Sequence, residues 1–242
     1  MTDQPSIHAL TQSLRDHVNT PRVRTRLLKS GEHFWQALAA LDLLGDTAEA
    51  VTAYQGKSTP DGSPNAGDHY LRLYGLLTAF HLQQDAGNNL AKALSLKMTC
   101  FDYPQLRSVR DARTAVAGHP SRREKNVPEP RFYFVFRFGL SAVGFELGVA
   151  SKTGGFRAEA IDLQFLLYEQ EQGMAALLND VLVSSQRAEE LHRRQFMTTS
   201  LATLLEGHGY EFEKVRSTGW GGGEPDVVMA PAALHILRDA LD

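Results

Sequence analysis

Between residues 69 and 99 the chain carries its longest helical repeat, and a helix of that length with one apolar side needs other helices to cover it. Leu73, Leu77, Phe80, Ala91, Leu94 and Met98 make one stripe, widened by Leu76 and Leu90. Gln84 falls inside that stripe. A buried amide left unpaired costs about 1–3 kcal/mol, so the sequence demands a partner for it. His81, Asp85 and Asn88 run alongside at spacings of four and three. Asp85 can then pair with His81 one turn back, as helical neighbours do. Alternatively, Gln84 and Asp85 face the following helix and hold Arg113 or His119 in place.

The flanking segments also read as helices. Residues 6–19 predict a short one. After Pro21, the positions of Leu27, Phe34, Leu38, Leu41 and Leu44 predict one helix or two, running to about Tyr54. The stretch GKSTPDGSPNAGD, 56–68, has the Pro and Gly content of a loop. KALSLKMTC predicts an amphipathic helix that leads to a buried thiol at Cys100. From about 164 a long helix puts Leu167, Met174, Leu178, Val181, Leu182, Ser185, Ala188 and His192 on one side. HRRQF, 192–196, ends that helix or bends it into TTSLATLLEG. His192 and Glu189 have no second His or Cys at ligand spacing, so no metal and no other cofactor is assigned.

Three segments between the helices have a different period. RFYFVFRFG (131–139), SAVGFELGVAS (141–151) and GFRAEAIDL (155–163) are rich in aromatic and β-branched residues and predict an antiparallel meander. Phe132, Phe134, Phe136 and Phe138 alternate onto one face, which is expected to lie against the helices. A stacking platform for RNA bases would also use aromatic residues. The fold expected is mainly α, a helical bundle with a small antiparallel β-meander, α+β overall. Its parts are a bundle over 1–127, the meander over 128–163, and a long helix with a Gly-rich tail over 164–242, packed on the same domain. In that tail YEFEKV reads as a strand and PAALHILRDAL as a terminal docking helix. The glycines of 219–226 are followed by no Lys, which argues against a nucleotide-triphosphate loop. Pro225-Asp226 lacks the later acid and Lys that a restriction-nuclease site needs.

Charge narrows the function. The net charge of −3 argues against a protein that coats nucleic acid non-specifically. Residues 101–140, however, hold eight Lys or Arg against four acids, a local basic surface on an acidic remainder. Such a distribution suits a focused phosphate site. No run of 18 apolar residues occurs, so no membrane span is expected. The first residues, MTDQPSIHAL, lack the pattern of a secretory signal, and a single cysteine fits a reducing cytoplasm.

Within the basic block, RSVRDARTAVAGHP (107–120) reads as a polar helix that carries Arg110 and Arg113 and stops at Gly118, with His119 and Pro120 after it. Gly past the last helical residue and Pro beyond it are stop signals. A chain reversing at Gly118 brings His119 back toward Arg113, a permanent cation beside a group that titrates near neutrality. The same residues also describe a helix with favourable positive charge at its C-terminus and no ligand.

This stretch resembles the motif of HEPN-domain proteins (higher eukaryotes and prokaryotes nucleotide-binding), in which Arg is followed after four to six residues by His. Arg113 and His119 are separated by five, and Thr114 stands where the family usually has Asn, Asp or His. YLRLYGLLTAFHLQQDAGNNLAKAL, 70–94, is similar to the long helix preceding the Arg–His helix in bacterial HEPN-like proteins. The resemblance covers about 30–125 and, more loosely, 130–197. It implies a metal-independent endoribonuclease in which His119 exchanges the proton and Arg113 pins the phosphate. Arg110, Thr114, Asp85 and Gln84 would support them, and Arg122, Arg123 and Lys125 would hold RNA phosphates. It further implies a cytoplasmic homodimer with a composite site, acting as a toxin or antiviral (phage-defence) effector, with RNA as substrate and a protein partner or antitoxin as regulator. The alternative is a non-catalytic HEPN-like module that binds a nucleotide, RNA or protein, a reading that Thr114 and the modest net charge favour.

Overall fold

A computed structural model describes residues 5–56, 66–118, 121–122, 130–136, 139–141 and 143–198; for Arg26, Ala66, Gly118, Ser121, Arg122 and 195–198 it describes the backbone alone. The helices are α1 (Ile7–Val18), α2 (Gly31–Gly56), α3 (Ala66–Ala93), α4 (Pro104–Arg113) and α5 (Leu163–Thr198). A wide π-type turn, Val23–Leu27, precedes α2, and a second, Thr114–Gly118, continues α4. The strands β1 (Ser121–Arg122), β2 (Arg131–Val135), β3 (Gly144–Ser151) and β4 (Gly155–Asp162) form one antiparallel sheet in that order. The protein is thus mainly α with a small antiparallel sheet. No described helix is long and apolar enough to cross a membrane. Residues 1–186 form one compact unit and 187–242 a second, so the boundary falls inside α5.

Two apolar clusters build the first unit. One joins Leu10 and Leu14 of α1, Leu41 and Leu44 of α2, Leu90 of α3, and Met174, Leu178 and Val181 of α5. The other joins Leu73, Leu77 and Phe80 of α3, Val109 of α4, Phe145, Leu147 and Val149 of β3, and Leu163, Leu166 and Leu167 of α5. The apolar stripe of α3 therefore serves both clusters, one with each half of the helix. At the crossing of α4 and α5, a Cβ on Gly173 would lie 2.7 Å from the Leu106 side chain, so the helices can approach this closely only with glycine there.

The periodic stretch ends earlier than its apolar pattern suggests. α3 stops at Ala93 because Ser95 adopts the left-handed conformation (φ 59°). The N–H groups of Ser95 and Leu96 return to the carbonyls of Lys92 and Ala91, closing the helix by a 5→2 and a 6→1 bond. A serine in that position carries no stop signal in sequence. Met98 consequently lies beyond the helix, half-buried, and Cys100 opens a 3₁₀ turn (Cys100–Asp102) rather than ending a helix. Its thiol is buried, as expected.

The sheet faces the helices with the opposite phase from that expected. Phe132 and Phe134 are 48% and 44% exposed, while Tyr133 and Val135 pack against the second cluster. Phe138 lies outside the described residues. Both faces of β2 carry aromatic residues, so alternation alone does not fix which one turns inward. The register decides it: the inward residues of β3 are Phe145, Leu147 and Val149, and Tyr133 and Val135 stand opposite Val149 and Leu147. Outside, Phe134 stands opposite Gly148, where a Cβ would meet its ring at 2.5 Å. The rings of Phe134, Phe136 and Phe156 then pack on one another with centroids 5.2–5.8 Å apart. These residues belong to a surface cluster, not to the core.

The long C-terminal helix runs unbroken through HRRQF to Thr198. Leu167, Met174, Leu178, Val181 and Ser185 are buried along it as predicted. The Gly-rich tail, the strand YEFEKV and the helix PAALHILRDAL lie outside the described residues.

Candidate functional site

Where α3 and α4 pack together, Gln84 of the α3 stripe and Asp85 beside it meet the basic face of α4. Gln84 is fully buried, and its Nε2 donates to the Leu106 carbonyl at 3.2 Å and to Gln170 Oε1 at 2.8 Å. Gln170, on α5, donates in turn to Gln83 Oε1 at 2.9 Å and to the Phe80 carbonyl at 3.3 Å. The polar break in the stripe is therefore a satisfied amide chain that ties α3, α4 and α5 together.

Asp85 is the hinge of the charged part. Both terminal nitrogens of Arg110 donate to Asp85 Oδ1 at 3.0 Å, and the other carboxylate oxygen lies 3.4 Å from His81 Nε2. Arg110 also reaches Gln84 Oε1 at 3.5 Å and sits 5.1 Å from the centroid of the Phe101 ring. Its guanidinium is thus held on several sides and has little left for an external phosphate. Asp85 and Gln84 were expected to hold Arg113 or His119; among the described residues they hold Arg110, and His119 lies outside those residues. Arg110 and Arg113 are one turn apart on the same helix, so both were compatible with the spacing, and the depth of the α3–α4 crossing chose the former.

Arg113 ends α4 half-buried, and its Nε is buried with no hydrogen-bond partner among the described residues. The same is true of His81 Nδ1. Burial pushes the His81 imidazole below the usual histidine range; Asp85 opposes this, while Arg110 and Arg113 reinforce it. The sign follows directly. The folded state binds a proton at His81 less readily than the unfolded chain, so stability is fully present above the unfolded histidine value and declines as pH falls below it. His81→Gln should flatten the decline in chemical-denaturation midpoint across mildly acidic pH. An equally steep decline in the variant would mean that other groups cause it.

Thr114 turns its hydroxyl back onto the Arg110 carbonyl, 2.8 Å away, within its own helix. It also lines a cleft of about 490 Å³ on the opposite face of α4, shared with Arg131, Tyr133, Arg157, Glu159 and Asp162. Carboxylates alternate with arginines there, which disfavours a polyanion.

The π-type turn carries the chain from Arg113 to Gly118, the predicted end of the helix. Turns of this kind are frequent at functional sites because they re-aim the residues that follow. His119, Pro120, Arg123 and Lys125 lie outside the described residues. Arg122 is placed only by its backbone, in β1, opposite Arg131. The structure thus joins Asp85, Gln84 and Arg110, places Arg113 beside them, and adds His81 and Phe101. For His81 the four-residue spacing to Asp85 was the available signal; for Phe101 there was none. Comparison with family models, with curated proteins and with solved structures finds no match to this chain.

Proposed function

We propose that the protein is a metal-independent endoribonuclease of the HEPN type. The observation that carries this reading is the state of Arg113. It is a half-buried guanidinium whose Nε has no hydrogen-bond partner among the described residues, at the end of a helix whose Arg110 is occupied by Asp85, six residues ahead of a histidine. A cation with no ion partner among the described residues has capacity left for a phosphate oxygen. In this reading the ribose 2′-hydroxyl attacks the adjacent phosphorus, its proton is taken up, and the 5′-oxygen leaves with a proton. His119 serves as general acid or base in that exchange, and Arg113 stabilises the charge developing on the phosphoryl oxygens. Asp85 is a positioning residue that fixes Arg110 and His81 so that α4 presents Arg113. Action on cellular RNA as a toxin or defence effector belongs to the same proposal.

One observation favours the alternative of a non-catalytic binding module. The Thr114 hydroxyl is spent on its own helix and offers nothing to a substrate. The discriminating experiment is incubation of the purified chain with single-stranded RNA in EDTA. Cleavage that is lost in Arg113→Ala supports the enzyme; intact RNA that is nevertheless bound supports the module.

A further inference from the structure

β4 is an edge strand, eight residues long, with no described strand on its outer side. Which of its backbone groups are free follows from the bonding phase. Phe136 N–H donates to the Glu146 carbonyl at 2.9 Å, so even-numbered residues of β3 bond toward β2 and odd-numbered ones toward β4. Across the β3–β4 register, Arg157, Glu159 and Ile161 therefore use their backbone groups on β3. Phe156, Ala158 and Ala160 direct theirs outward. Such an edge is a template for another strand unless something blocks it. β4 contains no Pro and no Lys, and its pairing with β3 runs from Gly144–Asp162 to Ser151–Gly155 without a bulge.

We propose that β4 pairs antiparallel with β4 of a second copy of this chain, about a two-fold axis through Ala158. The side chains select both the partner and the register. An axis at Ala158 sets Arg157 opposite Glu159 of the other copy, and Glu159 opposite its Arg157. An axis at Arg157 or at Glu159 would oppose like charges, and one at Phe156 or Ala160 would leave both unmatched. Within one chain Arg157 Nε already meets Glu159 Oε1 at 2.6 Å, on exposed side chains. On the outer face the same register puts the exposed Phe156 ring across from Ala160, a small residue that leaves room for it. Ala158 meets itself in a hydrogen-bonded pair, its N–H and C=O both used. Exposed ion pairs add little affinity, so they fix the register while the backbone bonds and the Phe156 contact hold the strands. The two clefts lined by Arg157 and Glu159 then flank the axis, on the helix-facing side of a continuous sheet.

This inference does not depend on RNA cleavage, because its readout is mass. Sedimentation velocity of the full chain at micromolar concentration should give twice 26.8 kDa. Ala158→Pro, which removes the central N–H, should give a monomer with an unchanged helical circular-dichroism spectrum. Arg157→Glu and Glu159→Arg should each weaken the dimer by setting like charges opposite one another, and the two together should restore it. If the proline variant fails to fold, Ala158→Cys decides. Paired Cα atoms about 5.5 Å apart lie within disulfide reach, so mild oxidation should cross-link two chains at that position. Val143→Cys, also exposed but outside the strand, should not cross-link. A monomeric wild type, a dimer untouched by the charge reversals, or no cross-link at residue 158 overturns the proposal.

Discussion

His119→Ala should lower the proposed RNA cleavage by about 10²- to 10⁴-fold, the usual worth of a positioned general acid or base, while RNA affinity stays close to that of the wild type. In the proposed reaction the imidazole moves a proton and does not anchor the chain, so its loss should fall on kcat. Arg113→Ala behaves differently. In the proposed reaction its guanidinium contacts phosphate in both the ground state and the transition state, so KM should rise as kcat falls. Arg113→Lys recovers affinity better than rate, because an ammonium keeps the charge but not the planar donor set. Filter binding and single-turnover cleavage, measured on the same preparations, separate the two effects. Equal affinity and equal cleavage in wild type and His119→Ala would remove His119 from the mechanism.

Gln170→Ala destabilises the fold by on the order of 2–4 kcal/mol, through lost packing and the unpaired amides it leaves. Gln170 is 2% exposed and is the centre of the amide chain, accepting from Gln84 and donating to Gln83 and to the Phe80 carbonyl. Its removal leaves Gln83 Oε1 without this donor and Gln84 Nε2 with the Leu106 carbonyl alone, both inside the core. For a chain of this size the loss corresponds to a drop in Tm of about 5–15 °C. Gln164→Ala, on the exposed side of the same helix, should change Tm little. Similar small shifts for both would mean that the buried amides find other partners.

How much of this was legible in the sequence depends on whether a residue's local pattern determines its neighbours. The helical stripes of α3 and α5 were readable because burial on one side repeats every turn, and Gln84 announced its need for a partner by interrupting such a stripe. The partner, Gln170, sits 86 residues away and could not be read. Pairing of His81 with Asp85 was readable from a spacing of four. The choice of Arg110 over Arg113 was not, because both point from the same face of α4 and only the depth of the helix crossing separates them. The phase of β2 failed for a related reason. Phe132 and Phe134 were assigned to the core on hydrophobicity, but a bare glycine on the neighbouring strand, Gly148, gave Phe134 a seat on the outer face. The end of α3 at Ser95 was invisible because the left-handed cap was made by a residue that rarely adopts it.

The central claim is that the nucleophile belongs to the substrate. The most direct measurement uses an RNA oligonucleotide with a single 2′-deoxy substitution at its preferred cleavage position, incubated with the chain in EDTA beside the all-ribose control. The account predicts that the control is cut to a product ending in a 2′,3′-cyclic phosphate, and that the one deoxy-substituted linkage survives while neighbouring linkages remain cleavable. Cleavage at the deoxy position, or products ending in a 3′-hydroxyl, would show that water or another group attacks the phosphorus, and would contradict it.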